Sequence, residues 1–382
     1  MRQLITTDSH LVPPFWLTER LPAKWRDQFP RVETEGDGRF IVYPSSPEAA
    51  DQMMITSGQR PSRVEVADEA EFVRINHANV CEEATPGFGP AERLVEMERE
   101  GVVGAVLIDN AVVTLEYLEI EAENAWCRIV NDWVAETYEG YMDRFAPGIH
   151  LPLRDIPAAV VELERAAGMG LRPAVLPDAM WASPYSLPEW EPLWEAGASL
   201  GIPFSLHVGG TRFPRVQHPD PRVATLPGFS LTAWYMMCTG MAETLGWFTF
   251  SGLLQKYPDL TIVMTEGYAG WLAFAMQMFD HHWDSRWGDI VLDRTPRPKL
   301  DAPPSYYLRR QAKATFMWDP VAVAARDYTG TDCLLWGNDY PHIEGSFPDS
   351  QAWVEKQFSG VPEQEIDAMV RGNAASTFKL MP

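Results

Sequence analysis

The feature of this sequence that most limits its possible folds is the repeated alternation of a short apolar run with a helical pattern. Most of the runs lack a clean alternation of polar and apolar residues, which is typical of strands that are buried on both faces. We expect eight such strands, at residues 3–7, 101–108, 145–151, 171–176, 202–208, 260–265, 314–318 and 333–337. Eight repeats of strand followed by helix predict an α/β fold, a TIM-like (β/α)8 barrel rather than a doubly wound sheet.

Helix boundaries follow from residues that start or stop helices. Pro90 fits the first turn of a helix, and Asp155 fits the N-cap of another. Gly201 is placed to end a third helix. The segment 267–283 is apolar almost all round, so we expect a buried helix there, and 363–378 forms the last helix.

The length of 382 residues exceeds the usual size of one domain, but β/α barrels with insertions reach this length. We therefore expect a single barrel domain over 1–382. Residues 11–88 form a long insertion after the first strand, which is either a lid, a pocket wall or dimer contact, or a segment without function. The segments 209–232 and 284–312 are shorter interruptions, and the first of these is expected to frame the pocket.

The net charge of −22 argues against binding to nucleic acid or to an anionic membrane surface, because both require clustered Lys and Arg. The expected partner is a small-molecule substrate. The four cysteines form no CxxC pair, and Cys127, Cys238 and Cys333 lie in apolar surroundings typical of inert core thiols. The chain start lacks the apolar stretch of a signal peptide, and no apolar run reaches ~20 residues, so we expect a cytoplasmic protein.

Acids and imidazoles follow several of the predicted strands. Asp8 and His10 stand two residues apart after the first strand, and residues with this spacing on a strand share one face. They could therefore bind the same ion, and a carboxylate with an imidazole suits zinc, manganese or iron. The alternative is that Asp8 only caps a turn.

The ends of the fifth and eighth strands carry His207 and Asp339. Two glycines, Gly209 and Gly210, follow His207 and would let a ligand approach the backbone closely, although a lone histidine is more often structural. Asp339 precedes a turn stiffened by proline and could simply cap it. His342 follows as a residue that faces substrate, supports the site or is structural.

Glu266 lies between the apolar sixth strand and the apolar segment after it. Desolvation in such a place raises the pKa of a carboxyl, which makes Glu266 a candidate acid or base. The alternative is a buried carboxylate that pairs with an arginine. All these residues stand at the carboxyl ends of their strands, which meet at one rim of a parallel barrel.

Three aromatic residues are candidate substrate contacts because they follow these groups. Phe15 and Trp16 follow His10, and Trp271 follows Glu266. Aromatic residues more often belong to the core, so this alternative stays open.

The chain resembles the amidohydrolase-related family, the branch of the metal-dependent hydrolase superfamily that includes aminocarboxymuconate-semialdehyde, resorcylate and carboxyvanillate decarboxylases. The resemblance extends over nearly the whole chain. The segments that carry it are TDSHLVPPFWLTERLPAKWRD, ERLVEMEREGV, YPDLTIVMTEGYAGW, GNDYPHIEGSFP and GNAA.

The resemblance implies one divalent metal held by Asp8, His10, His207 and Asp339, with zinc expected first and manganese or iron possible. It implies that Asp339 also accepts or donates a proton, and that the protein is a homodimer. There is one departure. The decarboxylases place a histidine at the end of the sixth strand, where this chain has Glu266.

That departure led us to expect hydrolysis of a small organic substrate by a metal-activated water, with Asp339, Glu266 and His342 as catalytic residues. The first alternative is non-oxidative decarboxylation of an aromatic or unsaturated acid. The others are an iron-dependent oxygenase and a barrel that only binds.

Overall fold

The computed structural model describes residues 1–43, 63–68, 71, 74, 80–84, 89–109, 118–179, 183–208, 221–285 and 300–381. The strands in this part of the chain, in order, are β1 (Leu4–Leu11), β2 (Arg31–Glu35), β3 (Gly38–Val42), β4 (Arg63–Glu65), β5 (Val102–Asp109), β6 (Phe145–Pro147), β7 (Ala174–Pro177), β8 (Phe204–His207), β9 (Ile262–Thr265), β10 (Ala312–Phe316) and β11 (Leu334–Trp336).

Eight of these strands form a parallel barrel. The order β1-β5-β6 makes one sheet, and β7-β8-β9-β10-β11 makes the other, with every adjacent pair parallel. Two parallel bridges join the sheets, Ser9 to Tyr340 beyond β11 and Ile149 beyond β6 to Ala174. The predicted barrel and all eight predicted strands are confirmed.

Both faces of the barrel strands are buried, which explains why the sequence shows no alternation. One face packs on the helices in the main core, as Leu107, Leu176 and Met264 do. The opposite face supplies a separate cluster inside the barrel. Its members come from six strands and the last helix: Ile5, Val106, Ile108, Ala146, Val175, Val263, Leu335, Ala374, Phe378 and Leu380.

The helices in the described residues cover the outside of the barrel. They are α1 (Pro90–Glu100), α2 (Ile120–Thr137), α3 (Ile156–Gly168), α4 (Glu191–Leu200), α5 (Phe229–Phe250), α6 (Leu253–Lys256), α7 (Gly270–Asp284), α8 (Pro304–Gln311), α9 (Pro320–Ala324), α10 (Arg326–Thr329), α11 (Ser350–Gln357), α12 (Glu363–Asp367) and α13 (Asn373–Phe378), the last two joined by a π-helical turn, Ala368–Gly372. None of them is long and apolar enough to cross a membrane.

The predicted helix boundaries are confirmed where caps define them. The Asp155 side chain accepts a hydrogen bond from the Ala158 backbone N–H at 3.1 Å, and Gly201 ends α4 with φ +61°. The expectation that 267–283 is a fully buried helix is wrong in part. Helix α7 exposes 63% of Phe274, because its apolar outer face has no neighbour among the described residues.

The described part of the insertion after β1 consists of two 3-10 turns, Phe15–Arg20 and Ala23–Gln28, and the antiparallel sheet β2-β3-β4. Trp25 and Phe29 anchor this segment by packing on Ala122 of α2. The remainder of 11–88, most of 209–232 and residues 286–299 lie outside the described residues.

Candidate metal centre and active site

Strand β1 carries the first two site residues. It continues beyond the predicted end at residue 7 to Leu11, so Asp8 and His10 lie within the strand. The pairing of β1 with β5 shifts between Thr6 and Ser9, which is a local irregularity of the kind that re-aims side chains at barrel rims. Both side chains are almost completely buried.

The end of β11 approaches β1 closely at this point. Gly337 permits the approach, because a Cβ there would lie 2.9 Å from the Cβ of Asp8. The Thr7 hydroxyl donates to the Trp336 carbonyl at 2.9 Å, and the backbone N–H of Asp339 donates to the Asp8 carbonyl at 2.9 Å. These contacts fix the turn that carries Asp339 against the strand that carries Asp8.

His207 is the last residue of β8 and is buried. Its Nδ1 lies 2.7 Å from the carbonyl oxygen of Val208, so Nδ1 donates its proton there. That hydrogen bond leaves the lone pair of Nε2 available, which is the state in which histidine binds a metal.

Glu266 and Asp339 both adopt left-handed backbone conformations, with φ of +62° and +56°. Such values are uncommon for residues other than glycine, and they cluster at functional sites. The Glu266 backbone N–H donates to the Thr315 hydroxyl at 2.8 Å, which holds this conformation at the end of β9.

The structure brings the predicted ligands together at one rim of the barrel. Asp8, His10, His207 and Glu266 each offer one ligand atom, and these four atoms lie within 4.8 Å of one another. Asp339 is outside that group, but its Oδ1 lies 2.8 Å from His10 Nε2. The shortest contact within the four-residue group joins Glu266 Oε2 and His207 Nε2 at 2.9 Å.

His342 and Glu344 border this group. The His342 ring makes an edge-on contact with His10, with ring centroids 4.5 Å apart. Ligand atoms of His10, Asp339 and His342 lie within 4.8 Å of one another, and so do those of Glu266, Asp339 and Glu344. Glu344 was not identified from the sequence, although it lies in the GNDYPHIEGSFP segment.

The charges in this pocket shift the protonation of its groups. Burial raises the pKa of Glu266 to about 7, although the imidazolium of His207 opposes the shift. Burial, together with the charges of Glu266 and Asp8, raises the pKa of Asp339 well above its usual range. Burial would lower the pKa of His207, but the carboxylates of Glu266 and Asp8 outweigh it and hold that pKa well above its usual value. The protonated imidazole thus supplies positive charge among carboxylates.

A divalent cation fits these residues. Asp8 Oδ1, His207 Nε2 and Asp339 Oδ2 are buried, and they make no hydrogen bond within the described residues. Buried polar atoms of native proteins are nearly always partnered, so three orphaned atoms in one cluster indicate that something binds there. Carboxylate and imidazole atoms are the ligands of zinc, manganese and iron.

Arg93 of α1 is a buried site residue that the sequence did not single out. Its guanidinium donates to the Ser9 hydroxyl at 3.1 Å and to the His10 carbonyl, and it lies 5.7 Å from the centre of the Tyr340 ring. Arg93 therefore ties α1 to both segments that carry site residues. The signal was its place in the ERLVEMEREGV segment.

The three aromatic candidates for substrate contact are not part of this cluster. Trp16 is half-exposed, and the Arg20 guanidinium lies 5.8 Å from the centre of its ring. Trp271 packs on the core, and its indole N–H donates to the Gly267 carbonyl at 2.9 Å. The Phe15 side chain lies outside the described part of the structure. Their roles stay predictions.

The amidohydrolase family model matches residues 5–380. The chain belongs to the amidohydrolase family. The match covers nearly the whole barrel, so the resemblance seen in the sequence segments is confirmed. This membership also identifies the chain as an enzyme.

The relatives with assigned activities are decarboxylases. The gamma-resorcylate decarboxylase of Polaromonas sp. strain JS666 is 26% identical over 299 residues, which cover 74% of this chain and 85% of the relative. The crystal structure of 5-carboxyvanillate decarboxylase from Sphingomonas paucimobilis aligns with a TM-score of 0.69 at 21% identity, with 99% of each chain covered.

A third relative was crystallised with a metal. A dihydroxybenzoic acid decarboxylase from Polaromonas sp. JS666, with bound manganese and the inhibitor 2-nitroresorcinol, aligns with a TM-score of 0.64 at 20% identity. The alignment covers 100% of this chain and 98% of that structure. These relatives support decarboxylation, the alternative in our sequence-based prediction, and give no support to hydrolysis or to zinc.

Proposed function

We propose that this protein is a metal-dependent decarboxylase of a hydroxylated aromatic acid. One observation carries the proposal: the buried group of Asp8, His10, His207 and Glu266, with Asp339 at its edge, at the rim of a family barrel. The decarboxylase relatives supply the reaction, and the relative crystallised with manganese favours manganese over zinc.

The proposed metal ligands are Asp8, His10, His207 and Asp339. A divalent ion held by them would withdraw electrons from bound substrate oxygens and offset the charge of the substrate carboxylate. Burial of the surrounding side chains limits access of water, which strengthens electrostatic interactions in the pocket. The carboxylate-rich wall disfavours a second free carboxylate on the substrate.

The proton that replaces the carboxyl group is assigned to Asp339. In the reaction, the bond between the ring carbon and the carboxyl carbon breaks, its electron pair stays on the ring, and carbon dioxide leaves. A proton from the Asp339 carboxyl then occupies that position, so the ring gains one hydrogen. His342, which reaches the same group of atoms, is placed to return a proton to Asp339 from solvent.

The experiment is a screen of hydroxylated benzoic acids with the manganese-loaded protein in D2O. The expected result is release of carbon dioxide and one deuterium on the ring carbon that lost the carboxyl group. The matched variant is Asp339→Asn, which keeps the shape of the side chain but cannot donate the same proton. We expect it to lose at least about 100-fold in kcat.

The other reaction classes give different products. Hydrolysis would place solvent 18O in the product, and an oxygenase would consume O2. Either result, without release of carbon dioxide across the screen, would reject the proposed function. Tight metal binding without any turnover would indicate a barrel that only binds.

We also propose that the homodimer forms through α5 and α7. Leu231 and Tyr235 lie one turn apart on α5 and are 79% and 67% exposed, and Phe274 on α7 is 63% exposed. Glu243 is the one charged residue of α5, so two copies with net charge −22 could meet there without opposing many acids. Light scattering should give a dimer, and the double change Leu231→Glu, Tyr235→Glu should give a monomer. A monomeric wild type at micromolar concentration would reject this interface.

A further inference from the structure

We infer that Glu266 is itself a metal ligand in this chain. The inference rests on the proposed metal centre and extends it. Among all described residues, the four-residue group that offers mutually close ligand atoms contains Glu266 together with Asp8, His10 and His207. The position is the one where the decarboxylases carry a histidine, so this chain would hold its ion with a different set of ligands.

The contacts of Glu266 point to an ion rather than to an arginine. Its Oε2 lies 2.9 Å from His207 Nε2 and 3.9 Å from His10 Nε2, and these are its ion-pair contacts within the described residues. No arginine pairs with it there, so the expectation of a buried carboxylate–arginine pair is not met. A cation between the two imidazoles and the carboxylate would satisfy all three groups.

Two independent features support ligation. Asp8 Oδ1 and His207 Nε2, which lie 3.7 Å apart, are buried without a hydrogen bond in the described structure. The backbone of Glu266 is held at φ +62° by its hydrogen bond to the Thr315 hydroxyl. A strained backbone fixed in this way is typical of a side chain whose position is functionally required.

The exchange of a histidine for a carboxylate has a chemical consequence. Glu266 adds a negative charge and a hard oxygen ligand beside Asp8 and Asp339. Hard oxygen ligands favour manganese and iron(II), whereas imidazole nitrogen favours zinc. We therefore expect this centre to discriminate against zinc more strongly than a centre with histidine at the same position.

The test measures metal affinity by chelator competition and the Mn(II) spectrum by electron paramagnetic resonance, so it does not depend on activity. Glu266→Gln should weaken manganese binding by at least about 10-fold and change the Mn(II) line shape. Glu266→His should retain a metal but raise the ratio of zinc affinity to manganese affinity by about 10-fold.

Glu344→Gln is the matched control because it removes one negative charge from the same pocket but lies outside the four-residue group. It should change manganese affinity by less than about 3-fold. An equal loss in both Gln variants would show a general charge effect and reject ligation by Glu266. Unchanged affinity and spectrum in a folded Glu266→Gln protein would also reject it.

The outcomes separate this inference from the proposed function. If the wild type binds manganese and decarboxylates, but Glu266→Gln binds manganese equally well, only the ligand assignment fails. If manganese affinity depends on Glu266 but no carbon dioxide is released, only the proposed reaction fails. A wild type that binds neither manganese nor zinc rejects both.

Discussion

His10 and Asp339 are separated by 329 positions in the chain, yet His10 Nε2 lies 2.8 Å from Asp339 Oδ1. The barrel produces this contact because β1 and the segment after β11 are neighbours. The His10 backbone N–H donates to the Tyr340 carbonyl at 2.6 Å, which fixes the two segments side by side. The site therefore depends on the closure of the barrel between its first and last strands.

The first prediction concerns the metal. His207→Ala removes an Nε2 atom whose lone pair is kept available by the hydrogen bond from Nδ1 to the Val208 carbonyl. We expect manganese binding to weaken by at least about 10-fold, measured as metal retained after dialysis. His281→Ala, a change of an exposed histidine on α7, should retain the wild-type amount. Equal metal content in both variants would contradict the assignment.

The second prediction concerns pH. The pKa of Glu266 is about 7 in the metal-free protein, and the pKa values of Asp339 and His207 are raised as well. A metal must displace these protons, so manganese affinity should rise by about 10-fold or more from about pH 6 to about pH 7. Chelator competition, corrected for the titration of the chelator, measures this.

The same shifts predict the stability of the metal-free protein. A folded-state pKa above the unfolded value stabilises the protein below the unfolded pKa, and this stability is lost as pH rises through the folded pKa. For Glu266 the window runs from its usual value of 4.5 to about 7. The metal-free Tm should therefore fall across this window relative to Glu266→Gln, and a parallel pair of Tm profiles would argue against the shift.

A third prediction concerns Gly337, where a Cβ would lie 2.9 Å from the Cβ of Asp8 and 3.1 Å from its backbone nitrogen. Gly337→Ala should displace Asp8 and weaken manganese binding by about 10-fold while the protein stays folded. The matched control is Gly168→Ala at the end of α3, where a Cβ meets no atom within 4 Å. Calorimetric titration with manganese should leave this control unchanged.

The fourth prediction concerns Arg93. Arg93→Met removes the donors to the Ser9 hydroxyl and the His10 carbonyl and leaves both acceptors buried. We expect the free energy of unfolding to fall by about 2 kcal/mol, measured by urea denaturation. Arg99→Met, on the same helix, loses only a half-exposed ion pair at 3.8 Å and should change it by less than about 1 kcal/mol. Similar losses in both would contradict a specific role for Arg93.

Much of the barrel could be predicted because its strands are buried on both faces and stand out as apolar runs. The runs at 202–208 and 333–337 contain β8 and β11 as observed. The continuation of β1 through Asp8 and His10 was missed, because polar residues in a strand resemble a turn. The exposed face of α7 was missed as well, since an apolar sequence does not reveal which of its faces finds a neighbour.

For the site, the sequence located Asp8, His10, His207, Glu266 and Asp339, because each follows or ends an apolar run. It did not rank them by distance. The inclusion of Glu266 and the position of Asp339 at the edge depend on how far each side chain reaches across the rim. Arg93 was not found, because nothing in a helix shows which strand its side chain will contact.

The sequence by itself determined the family, the number of barrel strands and the residue types available for metal binding, because these follow from local patterns and segments. Only the tertiary structure decided which of those residues share one buried pocket. Their mutual distances depend on strand register, on the irregularity in β1 and on the left-handed turns at Glu266 and Asp339, which arise from contacts between segments hundreds of residues apart.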